Sequence, residues 1–118
     1  MSSLYKKLIV WQKAMLLTEE VYTLTKRLPG YEDHNLASQM RRSAVSVPSN
    51  IAEGQYRFSL AQIKQFFKVA YASCAELETQ LYIAERVGYF KNGELTKAYD
   101  LVEQVMRMLN RLIYRRAD

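Results

Sequence analysis

The stretch from Ser59 to Gly88, SLAQIKQFFKVAYASCAELETQLYIAERVG, decides the fold. Leu60, Ile63, Phe67, Ala70, Cys74, Leu77, Leu81 and Ala84 recur in it at alternating spacings of three and four. That periodicity puts them on one face of a helix, in a segment far too long for a strand. Ser59 followed by Gln62 is a capping-box pair that starts the helix. Gly88 is suited to the left-handed residue that closes it.

A helix with one apolar stripe needs partners, and the flanking sequence provides them. Val10, Ala14, Leu17, Val21, Leu24 and Leu28 form the same seam before it, and Leu95, Ala98, Val102, Val105, Leu109 and Leu112 form it after. A less regular seam, Leu36, Met40, Ala44, Val47 and Ile51, is interrupted by Pro48. Proline removes a backbone donor and crowds the preceding turn, so a kink or break is expected near Val47. Pro29-Gly30, Gly54, Gly88 and Asn92-Gly93 punctuate the chain. Asn92 suits the cap of the last helix, and Lys26 and Arg27 suit the C-terminus of the first. The expected helices span about 8–28, 36–54, 59–87 and 93–116 of a single domain. Short links favour antiparallel neighbours, hence an all-α, up-down-up-down four-helix bundle.

Composition agrees with such a domain. The chain has 118 residues, 49% hydrophobic and 25% charged, enough to bury about 65% of its unfolded surface. One cysteine excludes an internal disulfide and points to the reducing cytoplasm. No run resembles a signal peptide or a membrane span.

Catalytic constellations are missing. The only histidine, His34, lies in a polar loop, so a di-iron bundle site of several Glu and two Glu-x-x-His pairs has no ligands. Structural zinc lacks Cys and His, and no glycine-rich phosphate loop is present. Cys74 sits on an apolar seam, where a buried inert thiol is expected. Glu76 and Glu78, at i and i+2, point to different helix faces. The expectation is a non-enzymatic protein without metal or cofactor.

The apolar surface exceeds what one stripe per helix requires. Trp11, Met15 and Tyr22 form a second stripe on the first helix; Phe66, Val69, Ile83 and Val87 lie off the seam of the third, and Tyr99, Met106 and Ile113 off that of the fourth. Broad core stripes with scattered surface aromatics are one reading. Nine Tyr and five Met favour the other, self-association through Trp11, Met15, Tyr22, Phe66, Tyr99 and Met106.

Antiparallel topology also sorts the charge. Lys6, Lys7, Lys13, Arg57, Lys64, Lys68, Arg107, Arg111, Arg115 and Arg116 would share one bundle end with only Glu53 and Asp118, leaving seven basic and ten acidic residues elsewhere. The mild net charge of +5 thus hides a strong polarity. Arg107, Arg111 and Arg115 recur every four residues, about 6 Å apart along one helix face, and guanidinium groups bind phosphates bidentately. Tyr5, Tyr56, Phe58 and Tyr114 lie nearby in sequence and are able to stack on unpaired bases. A merely solvated basic surface is the competing reading.

Three segments, VWQKAMLLTEEVYTLTKRLP (10–29), SQMRRSAVSVPSNIAEG (38–54) and ELETQLYIAERVGYF (76–90), resemble the 23S ribosomal RNA intervening-sequence proteins, over about Leu8 to Ile113. The resemblance implies a helical bundle that assembles as a ring-like homopentamer. The chain is also distantly similar to the accessory proteins of diversity-generating retroelements, which are basic pentamers that bind nucleic acid and a reverse transcriptase. The implied partners are further copies of the chain and nucleic acid, with RNA foremost. A scaffold that docks a protein such as a polymerase or reverse transcriptase is the alternative. Arg41, Arg42, Ser49, Asn50, Glu53, Glu76 and Glu78 match the family block. Arg41 or Arg42 is expected either to pair with Glu76 or Glu78 as a structural ion pair or to meet phosphate, with Ser49 and Asn50 satisfying backbone freed by Pro48.

Overall fold

The computed structural model describes residues 4–114. A short 3₁₀ turn, Leu4–Lys7, leads into four helices: α1 (Ile9–Thr25), α2 (Leu36–Gly54), α3 (Leu60–Arg86) and α4 (Thr96–Tyr114). Each packs on its neighbours in chain order and α4 closes back on α1, giving an all-α four-helix bundle. At 45 × 28 × 20 Å, its long axis is set by α3, whose 27 residues span about 40 Å.

Side-chain contacts join the end of α1 to the beginning of α2, the middles of α2 and α3, and the end of α3 to the beginning of α4. Thr18 and Arg41 link α1 and α2 through Ala44 and Thr25, and Ser46 meets Ser73 between α2 and α3. Tyr99 at the start of α4 reaches Glu85 at the end of α3, while Arg27, just past α1, reaches Glu94, just before α4.

The seams form the core. Leu17, Met40, Ile51, Leu77, Leu81 and Leu109 are fully buried. Four positions depart from expectation: on the seams, Leu60 is exposed and Ile63 and Leu112 are half-buried, while Ile113, off the seam, is buried. Gly54 allows α2 and α3 to approach, since a Cβ there would lie 3.2 Å from the side chains of Phe66 and Phe67.

Helix ends follow local chemistry. Ser59 Oγ accepts from the Gln62 N–H at 3.1 Å. Gly88, with φ of +94°, ends α3 in a Schellman motif, its N–H bonding to Glu85 O and that of Tyr89 to Ala84 O. α1 stops at Thr25, before the expected 28, its end tightening into three-residue turns in which the Arg27 and Leu28 N–H groups bond Leu24 O and Thr25 O ahead of Pro29. α4 starts at Thr96, so Asn92 is not its cap; Gly93, with φ of +93°, makes the turn instead.

α2 runs unbroken through Pro48. Proline leaves the Ala44 carbonyl without its helical donor, and Thr18 Oγ1 of α1 reaches that oxygen at 3.1 Å. The expected donors act elsewhere: Asn50 Nδ2 bonds Ser46 O and Oγ, and Ser49 is exposed.

Candidate functional site

The basic residues gather at one end, as the packing dictates. Tyr5 packs edge-on against Trp11 and Tyr56, with ring centroids 5.3 and 6.0 Å apart, tying the N-terminal turn to the end of α2. Leu8, Ile9 and Val10 share a cleft with Met108, Arg111 and Leu112 of α4, and Lys68 and Tyr71 of α3 share another with Asn110 and Tyr114. Lys6, Lys7, Lys68, Arg107 and Arg111 are exposed; Lys13, Arg57 and Lys64 are half-buried. Arg115 and Arg116 lie outside the described residues.

These cations are not equivalent. Arg57 turns inward, pairing with Glu53 and laying its guanidinium 4.7 Å over the Phe66 ring. Its Nε is buried without a hydrogen-bond partner among the described residues. It is therefore engaged by internal contacts, with its side chain still 38% exposed. Arg107 meets Glu103 one turn earlier at 3.3 Å, so Glu103 joins Glu53 as a carboxylate of this end. Lys6, Lys7, Lys13, Lys64, Lys68 and Arg111 form no ion pair among the described residues.

The opposite end is tied together. Arg27 bonds Glu94 at 2.6 Å and stacks on Phe90, which is buried in the core. The Lys91 N–H and Arg27 hold the Glu94 carboxyl below the usual carboxylate range. Tyr89 Oη donates to Glu32 at 2.6 Å, and the Leu36 N–H also bonds Glu32, so that carboxyl too is held low. These bonds link the α1–α2 loop to the α3–α4 loop. Glu32 and Glu94 carried no recognisable sequence signal, since each acts across the bundle end.

The expected Arg41 or Arg42 pairing with Glu76 or Glu78 is not formed within ion-pair distance among the described residues. Arg41 faces α1, where its Nε donates to Thr25 Oγ1 at 2.9 Å and its guanidinium lies 5.6 Å from the Tyr22 ring centroid. Arg42 and Glu76 face the other way and line one polar cleft with Ser43, Ser46 and Ser73. Adjacent residues on a helix are 100° apart, so the two arginines serve different neighbours.

The surplus apolar residues occupy two faces. Trp11 and Met15 line a groove between α1 and α2 with Tyr5, Thr18, Val45, Pro48 and Ala52, and Tyr22 continues their stripe toward Arg41. Across the bundle, Tyr99 stacks 4.9 Å from Tyr82 and bonds Glu85, with Met106 two turns further along α4. Burial and the Glu85 carboxylate raise the Tyr99 phenol pKa. Phe66 joins neither face; it lies half-buried under Arg57. Cys74 is buried, its thiol pushed up to about 12 chiefly by desolvation. No metal-holding group of three His, Cys, Asp or Glu occurs among the described residues. None of their helices is long and apolar enough to cross a membrane.

Comparison with known proteins accords with this architecture. A crystal structure of a Bacteroides thetaiotaomicron protein of unknown function, from the S23 ribosomal protein family, superposes with a TM-score of 0.81 at 21% identity, covering 89% of this chain and 98% of that one. At that identity the likeness speaks for the fold. No curated protein matches the chain. The model of the 23S rRNA-intervening sequence protein family matches residues 6–111. With that match running from the N-terminal turn to the penultimate turn of α4, the chain belongs to the 23S rRNA-intervening sequence protein family.

Proposed function

We propose that the protein is a non-enzymatic, homo-oligomeric nucleic-acid-binding protein that grips phosphates with the basic end of its bundle. The carrying observation is the contrast between the two ends. Among the described residues, eight Lys and Arg share the basic end with only Glu53 and Glu103, and Lys6, Lys7, Lys64, Lys68 and Arg111 have no carboxylate partner there, whereas the seven bases elsewhere stand among nine carboxylates. Unneutralised cations grouped on one surface create the positive potential that attracts a polyanion. RNA is the polymer to which the family's description points.

Assembly is supported by two complementary faces on opposite sides of the bundle. The α1–α2 groove is apolar with Arg41 at its margin; the α3–α4 face carries Tyr82, Tyr99 and Met106 with Glu78, Glu85 and Glu103. Unlike faces on opposite sides suit a head-to-tail contact, which closes into a ring where the rotation between successive copies is a whole fraction of a turn and otherwise runs on as a filament. Five subunits is the number that the family resemblance implies. Such a ring repeats the basic end on one side.

Anisotropy of labelled RNA across added salt tests the phosphate reading. Affinity should fall linearly on logarithmic axes, with a slope of about −0.7 for each single-strand phosphate neutralised. Lys64→Glu, Lys68→Glu and Arg111→Glu together should abolish binding with the helical spectrum intact. Unchanged affinity would overturn the assignment.

One feature favours a protein partner as a second reading. Between α1 and α4 lies a cleft of about 700 Å³ lined by Leu16, Glu19, Glu20, Lys97, Asp100 and Leu101. Its acidic rim suits a basic segment of a docking protein such as a polymerase. Stoichiometric capture of one protein that survives nuclease treatment and is lost in Glu19→Lys would support it; capture unaffected by that change would remove it.

A further inference from the structure

We infer that the turn joining α2 to α3 is a stacking platform for unpaired bases, so that the protein prefers single-stranded nucleic acid to duplex. The inference rests on the phosphate-binding reading and narrows its substrate class.

Of the side chains in this turn, Arg57 folds back over Phe66 toward Glu53 and is 38% exposed. The two aromatics beside it point outward: Tyr56 is 54% exposed and Phe58 102%, as open as an isolated residue. Phe58 has no internal packing role to explain its size. Tyr56, Phe58 and Leu60 are all exposed within five residues of chain, and a run of exposed apolar side chains, unlike a lone one, marks a contact surface.

The surroundings identify what it contacts. Tyr56 lies against Tyr5, directly before Lys6 and Lys7, and Lys64 lies one turn into α3. Aromatic faces interleaved with unpaired cations match a polymer that alternates flat π-surfaces with phosphates. In a duplex the base faces are already stacked and hidden, so a ring on a convex turn has nothing to stack upon. In a single strand every base offers a face, with little dependence on sequence. The cations supply affinity for either form; Tyr56 and Phe58 supply the difference between them.

The test uses full-length wild type, Phe58→Ala and Phe58→Trp, titrated with a labelled single-stranded oligouridine and an RNA duplex of equal length at several salt concentrations. Wild type should favour the single strand. Phe58→Ala should lose on the order of tenfold in affinity for the single strand, with duplex affinity unchanged. Its salt slope should also be unchanged, because no phosphate contact is removed, and Phe58→Trp should retain binding. Equal effects of Phe58→Ala on both forms, or none on either, overturn the platform while leaving phosphate binding in place. If wild type binds neither form, the phosphate reading fails and the platform with it. A change in assembly mass in Phe58→Ala would assign the ring to a contact between copies and would also overturn the platform.

Discussion

Thr18 Oγ1 on α1 lies 3.1 Å from the carbonyl oxygen of Ala44 on α2, the acceptor that Pro48 leaves without a donor. The same hydroxyl approaches Ala14 O at 2.9 Å, so its single proton is shared between its own helix and its neighbour's. A proline in the middle of a helix is thereby accommodated by a residue of another helix, 26 positions before the carbonyl that it leaves free. The bond also sets the register of α1 on α2, since a shift of either helix would separate the pair.

This relationship predicts a coupled stability effect. Thr18→Val keeps the shape of the side chain and removes the donor, leaving the Ala44 carbonyl unpaired, at a cost of about 1–3 kcal/mol. In a Pro48→Ala background residue 48 regains its N–H and Ala44 regains a helical partner. Thr18→Val should then cost markedly less, giving a non-zero coupling in a double-mutant cycle measured by denaturant unfolding. Additive effects would show that Thr18 does not compensate for the proline.

Acid should loosen the end of the bundle remote from the cations. Tyr89 and the Leu36 N–H lower the Glu32 pKa, and the Lys91 N–H and Arg27 lower that of Glu94, both from an ordinary value of 4.5. The folded state therefore binds fewer protons than the unfolded one, so this stabilisation is complete above pH 4.5 and fades as pH falls through the depressed values. Glu32→Gln with Glu94→Gln should melt below wild type at pH 7. The difference should shrink as the pH is lowered through the depressed values, where the wild-type carboxyls become protonated too. A gap between the two melting curves that is constant across that range would exclude these carboxylates as the acid-sensitive element.

Cations of the same type on one helix should differ in their contribution to binding. Arg107 is already engaged by Glu103, whereas Arg111, one turn later, has no carboxylate partner among the described residues. Arg111→Ala should weaken RNA binding more than Arg107→Ala. Glu103→Gln should tighten it, because it frees Arg107 and removes a negative charge from the surface the phosphates approach. Equal losses in the two arginine variants would mean that Glu103 yields Arg107 to the ligand without cost.

Long helices were legible in the sequence because their periodicity is a local property. Leu17, Met40, Leu77 and Leu109 fall on seams readable one helix at a time, and Ser59 and Gly88 announce helix ends by their own chemistry. The site was legible more coarsely. Helix order alone places Lys64 and Arg111 at one end, but whether a cation stays free depends on which carboxylate lands within reach. Arg57 curling onto Phe66, Glu103 meeting Arg107 and Arg41 turning to Thr25 are set by side-chain direction around a helix. Phe90, buried in the α3–α4 connection, was equally hard to foresee. Its burial depends on loops from both sides of the bundle end, for which no periodic pattern exists.

The two apolar faces give the assembly its most direct test. Val45 and Tyr82 are exposed, on the α1–α2 and α3–α4 faces respectively, so a charge at either should leave the monomer folded. Val45→Asp should block one face of every copy and Tyr82→Asp the other. If the contact is head-to-tail, neither variant alone can pair, because each contact needs both faces. Light scattering should then report monomers for each, against an oligomer for wild type. Mixed together, the variants should form one-to-one dimers and nothing larger, since Val45→Asp retains an intact α3–α4 face and Tyr82→Asp an intact α1–α2 face. An isologous contact behaves differently: a variant altered outside the self-complementary patch still dimerises alone, and mixing adds nothing. A mixture that stays monomeric would show that the two faces do not meet one another.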